Sequence, residues 1–199
     1  MEFEFDEDEI KEIAISVIVL SLAFSIVLSG GLTKFLVNNN IFFMFFASLL
    51  TVGIGFILHE LMHKFVAQMY NSSARYVMWA PGLGMALLFS IFFKMILAAP
   101  GAVYIYAPYL TREEYGKISL AGPAMNVLIS LGFLFLLFIM PSAGLIKEVL
   151  YLGAYINVFL AGFNMIPFPP LDGSKVFNWN PVVWAVFVAA VGFLYFFVL

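Results

Sequence analysis

The sequence predicts an all-α integral membrane protein, a polytopic helical bundle of about five to six transmembrane helices with a re-entrant or hairpin segment after the second. Three observations carry that expectation. Hydrophobic residues make up 64% of the 199 and charged residues 11%, with a mean hydropathy of +1.05, well outside the balance of water-soluble domains. Several stretches reach the roughly 20 apolar residues needed to cross about 30 Å of hydrocarbon. The charge that does exist is gathered at one end: Glu2, Glu4, Asp6, Glu7, Asp8, Glu9 and Glu12 crowd the first twelve positions.

The elements follow in order. Residues 13–36 form the first apolar stretch, broken near Gly30 and Gly31, and the polar run Asn38, Asn39, Asn40 separates it from a second at 41–70. Across 71–115 the apolar pattern is interrupted by Pro81, Gly82, Gly84, Lys94, Pro100, Gly101 and Pro108, which suits a re-entrant or hairpin segment better than a span. Residues 118–140 and 145–166 are the third and fourth spans, and 182–199 is a short fifth. Residues 13–199 thus read as a single transmembrane domain. Residues 1–12 read as an acidic cytoplasmic tail, solvated and partly disordered in preference to docked. That opening is acidic where a secretory signal is basic, so the first apolar stretch is expected to be a retained helix.

Arg75, Lys94, Arg112 and Lys117 lie between the second and third spans, against Lys34 and Lys147 in the loops of the opposite side. Because short cytoplasmic loops retain basic residues, the connection after the second span is expected to be cytoplasmic, as is Lys175. The small size points to a prokaryotic plasma membrane, with the bilayer itself as the surrounding partner. No basic footprint for nucleic acid exists, and the residues carry no signal of oligomeric state. The chain has no cysteine, which excludes disulfides and thiolate metal ligands.

Chemistry concentrates in FILHELMHKFVAQMY near the end of the second span. His59 and His63 are four apart, so on a helix both imidazoles share one face within reach of a single metal ion, with Glu60 beside them. H-E-x-x-H on a helix is a zinc protease pattern in which two histidines bind the metal and the glutamate acts as general base. These are the only two histidines of the chain. Ionisable groups at membrane depth are unfavourable by about 2.5–3.5 kcal/mol each, which a bound metal would offset; the plainer alternative is a polar cluster that joins helices.

A catalytic zinc needs a third protein ligand, and without further histidine or cysteine only carboxylates remain. Outside the tail these are Glu60, Glu113, Glu114, Glu148 and Asp172. Glu148 follows Lys147 in an expected loop, and Glu113 and Glu114 lie in the polar run TREEYGK, read as a solvated interfacial turn or, alternatively, as zinc ligands. Asp172 follows PFPPL, where Pro167, Pro169 and Pro170 must end the fourth span and Gly173 permits a turn. Irregular backbone at membrane depth is tolerated where it lines an enclosed cavity, so Asp172 could project to a metal; it could equally cap an ordinary turn.

Three segments together resemble the site-2 proteases, a family of intramembrane zinc metalloproteases: FILHELMHKFVAQMY, ISLAGPAMNVLIS and FNMIPFPPLDGSKVF, in that order and within residues 50–177. The resemblance implies one zinc per chain held by His59, His63 and Asp172, with Glu60 activating water. It implies a substrate-binding or oxyanion role for Asn164, and a membrane-embedded hairpin after Tyr70 where Gly82 and Gly84 would receive the substrate. It further implies a transmembrane protein substrate, cut within or near its helix in regulated intramembrane proteolysis. Gly122, Pro123, Asn126, Pro170 and Gly173 are expected to shape the site's surroundings, and Asn126 and Asn157 suit helix-to-helix hydrogen bonding equally well. Met62 stands where the family commonly has glycine. A non-catalytic zinc-binding membrane protein that captures transmembrane helices is the alternative, and the presence of Glu60 argues against it.

Overall fold

A computed structural model describes residues 5–37, 40–96, 100–107, 109–140 and 143–199. Glu2 and Glu4 of the acidic run, Asn38 and Asn39 of the polar break, and Pro108 lie outside them. Among the described residues, five helical stretches are long and apolar enough to cross a membrane: Glu7–Leu28, Ile41–Met69, Arg112–Ile139, Leu145–Asn164 and Pro181–Val198. They correspond to the five expected spans. The chain divides into two compact units, one of Met1–Ile57 with Arg75–Tyr104 and one of Leu58–Ala74 with Ile105–Leu199.

In the first unit, helix α1 (Glu7–Leu28) starts where Asp6, in an extended conformation, accepts the Glu9 N–H at 2.7 Å and three acidic residues meet the positive end of the helix. It stops at Gly30 and Gly31, whose φ values of +83° and +111° suit glycine alone. Gly31 N–H bonds to Ile26 O and Gly30 N–H to Val27 O, both at 2.9 Å, which closes the last turn's open carbonyls. A short α2 (Leu32–Val37) follows. Helix α3 (Ile41–Ser48) then passes through a π turn at Leu49–Gly53 into α4 (Ile54–Met69). A Cβ at Gly53 would lie 3.1 Å from Val17 Cγ1, so the missing side chain lets the π turn press on α1.

The expectation of a solvated, partly disordered acidic run is corrected at Glu9 and Glu12, while Asp6, Glu7 and Asp8 at the start of the helix are exposed. Glu9 is buried, and its carboxylate accepts the backbone N–H of Tyr76 at 2.8 Å. Glu12 accepts the N–H of Met78 at 2.7 Å, and Arg75 pairs with Asp6 at 3.2 Å and with Glu12 at 3.7 Å. The physical reason is the strand β1 (Ser73–Met78), whose outer-edge N–H groups need acceptors away from water. Strand β2 (Gly101–Tyr106) pairs on the other edge; contacts between Trp79 and Pro100 and between Ser73 and Tyr106 make the pair antiparallel. Between the strands runs α5 (Ala80–Phe93). The hairpin expected after the second span is therefore a strand–helix–strand, and Gly82 and Gly84 lie in its helix. Tyr76 anchors this unit: its hydroxyl donates to Pro100 O at 3.2 Å, so Ser16, 2.8 Å away, donates to it in turn.

In the second unit, α6 (Arg112–Ile139) opens with a reciprocal cap, Thr111 Oγ1 accepting the Glu114 N–H while Glu114 accepts the Thr111 N–H. It packs against α7 (Leu145–Asn164) and α8 (Asp172–Trp179). Small residues permit the close approach expected of membrane helices: Gly116 leaves room for Trp179, Gly153 leaves room for the Phe133 ring, and Ser130 donates to Ala154 O at 2.8 Å. Helix α7 ends at Asn164, just before the three prolines. The loop that follows is tied down by Trp184 Nε1–H donating to Met165 O at 2.7 Å from α9 (Pro181–Phe193), which runs on through a π turn at Leu194–Val198. Asn180 starts α9 by accepting the N–H groups of Val182 and Val183, with Pro181 at the first helical position.

Candidate metal centre

Helix α4 carries His59 and His63 on one face, both buried, with their Nε2 atoms 3.0 Å apart. Asp172 reaches them from the first turn of α8. Its Oδ2 lies 3.1 Å from His63 Nε2 and 3.4 Å from His59 Nε2, while Oδ1 takes a hydrogen bond from Lys175 at 3.2 Å. Among the described residues these three are the group of His and carboxylate side chains whose donor atoms all fall within 4.8 Å of one another. Asp172 arrives there because α7 stops and the chain doubles back. Gly173 permits that fold by close approach rather than by special dihedrals: a Cβ there would overlap the Met165 carbonyl and lie 2.6 Å from Ile166 O.

The donor set fits a divalent metal. His63 Nδ1 lies 2.7 Å from Ile118 O, and a carbonyl can only accept, so Nδ1 carries the proton and Nε2 of the neutral ring presents a lone pair. His59 Nδ1 lies 2.7 Å from Asn126 Oδ1 and is held in the same sense. With both rings neutral, two lone pairs and a carboxylate oxygen converge, an arrangement that repels itself unless a metal ion or a further proton sits between them. Ligand atoms about 2.0–2.1 Å from a tetrahedral zinc lie roughly 3.3 Å apart, and the observed separations of 3.0–3.4 Å bracket that spacing. Both imidazoles also have the orienting second partner that metal-bound histidines generally keep.

Helix α6 is shaped to receive the pair. A Cβ at Gly122 would lie 2.6 Å from His59 Nε2 and closer still to His63 Nε2, so any side chain there would collide with both ring nitrogens. Ile118, Gly122 and Asn126 fall at intervals of four on α6, matching the interval of the histidines. That stripe is the signal by which sequence alone could have paired the two helices. Pro123 is buried beside it.

The remaining candidates divide cleanly. Glu60 is buried next to His59 on α4. Half-buried Glu114 caps α6 and exposed Glu113 forms a 2.6 Å ion pair with Lys117; both lie in the first turn of a helix, and neither joins His59, His63 and Asp172. Glu148 is exposed in the first turn of α7 rather than in a loop. Asn164 donates to Leu160 O at 3.1 Å within its own helix. Gly82 and Gly84 belong to the first unit, where Gly82 is buried and Gly84 has open space beside it. Pro170 is exposed in the loop before Asp172. Lys175, which donates to the other oxygen of Asp172, was legible in the sequence only as a basic residue expected on the cytoplasmic side.

A helical membrane protein with a buried His–His–Asp centre and an adjoining glutamate has the donor set of a zinc hydrolase. The comparisons agree. The chain is 42% identical over 184 residues to the Methanocaldococcus jannaschii protein named "Putative zinc metalloprotease MJ0611", covering 92% of this chain and 91% of that one. It therefore belongs to that family of zinc metalloproteases, and zinc is the metal its site implies. Zinc metalloprotease MJ0392 of the same organism is 28% identical over 143 residues, of which this chain spans 35% of the length. "Putative zinc metalloprotease YwhC" of Bacillus subtilis is 25% identical over 143 residues, with 65% of its length covered. No model of a known protein family and no solved structure matches the chain.

Proposed function

We propose that the chain is an intramembrane metalloprotease of the site-2 type that hydrolyses a peptide bond within or near a transmembrane helix of a membrane-protein substrate. The observation that carries this reading is the convergence of His59, His63 and Asp172, next in sequence to Glu60, in a chain whose described residues include five helices apolar enough to span a bilayer. Bound zinc supplies Lewis-acid polarisation of the scissile carbonyl and a water of pKa about 7. Glu60 takes the proton of the attacking water and delivers it to the leaving amine. The Ile118 carbonyl and Asn126 keep both histidines in the ligating tautomer. A helical substrate hides its carbonyls, so it must unwind locally before attack; Asn164 is assigned to holding the unwound stretch, which strand addition would keep extended. The basic residues after α4 favour a cytoplasmic mouth for water, in a prokaryotic plasma membrane.

The test uses the full chain in proteoliposomes with a single-span substrate. Glu60→Gln should keep about one zinc and lose cleavage by roughly 10²–10⁴-fold. Cleavage by Glu60→Gln at the wild-type rate would remove Glu60 from the chemistry. A zinc-loaded wild type that binds the span without cutting it would favour the helix-capturing alternative.

A further inference from the structure

We propose that Asn157 is a positioning residue for the metal centre, setting the tautomer of His59 from the neighbouring helix α7 through Asn126. The proposal rests on the reading of His59 as a zinc ligand. It starts from a difference between the two histidines: His63 is oriented directly by a backbone carbonyl, Ile118 O, which has a single hydrogen-bonding sense. His59 is oriented by an amide side chain, and an amide has two ends.

An Asn126 rotated by 180° would offer its NH₂ to His59 Nδ1. That ring would then have to accept at Nδ1, carry its proton on Nε2 and lose its ligating lone pair. Nothing in Asn126 itself forbids the rotation. Its other end does: Asn126 Nδ2 donates to Asn157 Oδ1 at 3.2 Å. Asn157 in turn donates from Nδ2 to Gly153 O at 2.8 Å, one turn back in α7. Gly153 O is a carbonyl and can only accept, so Asn157 must face it with its NH₂. Its oxygen therefore points to Asn126, the Asn126 NH₂ points back, and the Asn126 oxygen is left facing His59 Nδ1 at 2.7 Å.

The chain of bonds thus has one sense, running from a fixed backbone acceptor on α7 across α6 to the metal helix. Asn126 and Asn157 are fully buried, so water does not compete for either amide. Reversing either amide would oppose two donors or two acceptors in a dry interior, which disfavours the wrong tautomer more strongly than the His59–Asn126 bond could alone. Asn157 touches neither metal nor substrate in this scheme; it acts on the centre through Asn126.

The experiment compares Asn157→Leu, which removes the acceptor, with Asn157→Asp. The aspartate retains an oxygen for Asn126, and its protonated form, favoured by burial, also donates to Gly153 O. The chain has two histidines, so ¹⁵N-histidine spectra of the full chain in micelles contain only the two rings of interest. In metal-free protein, Asn157→Leu should shift His59 from the Nδ1–H form towards a mixture while His63 stays unchanged. Asn157→Asp should restore the wild-type pattern. Zinc affinity, read by chelator competition, should fall about 10–100-fold in Asn157→Leu and recover in Asn157→Asp. An unchanged His59 tautomer in a folded Asn157→Leu protein overturns the proposal, as does equal loss of affinity in both variants. The tautomer is read without metal, so it decides the relay even if the wild type binds no zinc, which would defeat the metal reading separately.

Discussion

Two regions of the molecule bury carboxylates, and each resolves the problem differently. Beside β1, Glu9 and Glu12 meet backbone N–H groups, donors that match them one for one, and Arg75 adds positive charge. At the metal centre, Asp172 meets two imidazole nitrogens whose other nitrogens already carry the protons, so acceptor faces acceptor. The first arrangement is complete as it stands and has a structural role. The second closes only when a metal ion or a further proton sits between the acceptors. Burial of charge alone does not mark a functional site; the mismatch between neighbouring hydrogen-bonding senses does.

The sharpest way to break this contrast is to remove one acceptor from each region. Asp172→Ala should reduce zinc from about one per chain to near none by elemental analysis, because three ligands are the minimum for a catalytic site. Zinc retained at full stoichiometry would show that the ligand set lies elsewhere. Gly122→Ala comes next. It leaves every ligand in place but puts a methyl group where the two Nε2 atoms converge, so the rings must move, a strain of about 1–3 kcal/mol that should appear as a roughly 10–100-fold loss of zinc affinity. Affinity within a factor of two of wild type would mean that α6 yields more readily than its close fit implies.

Glu9→Ala probes the other side of the comparison. It leaves the Tyr76 N–H without its acceptor and should lower the unfolding free energy by about 1–3 kcal/mol, with zinc stoichiometry unchanged. Glu9→Gln keeps an oxygen for that N–H and should fall between the two. Loss of zinc in Glu9→Ala would mean that the acidic segment serves the metal centre as well as β1.

The same contrast explains what could be read in the sequence. The five spans were legible because each is a continuous apolar run, and the histidines because a four-residue interval on one helix needs no tertiary information. Asp172, 109 residues from His63, was one of five carboxylates that elimination left open, and the resemblance of its Pro-Pro-Leu-Asp-Gly context singled it out. The docking of the acidic run was not legible at all, since its acceptors meet donors 66 and 67 residues away and charge patterning on its own suits a solvated tail. The Asn126–Asn157 bond spans 31 residues and two helices, and single amides in apolar spans do not announce their partners. Periodicity reports what lies along a helix, and the chemistry here is made between helices.

The smallest expected effect tests the acidic pair that could have been ligands. Thr111 and Glu114 close a reciprocal cap at the start of α6, and Glu113 pairs with Lys117 at the surface. Thr111→Ala should lower stability by about 0.5–2 kcal/mol, the usual size of a lost N-cap, and leave zinc content and affinity untouched. Combining it with Glu113→Ala should add little, because ion pairs between exposed side chains one helical turn apart are screened by water. An effect of either change on zinc would reopen the glutamates as part of the centre. Its absence would leave the carboxylates of α6 where their exposure puts them: they hold the end of a helix whose far more consequential feature is the missing side chain at Gly122.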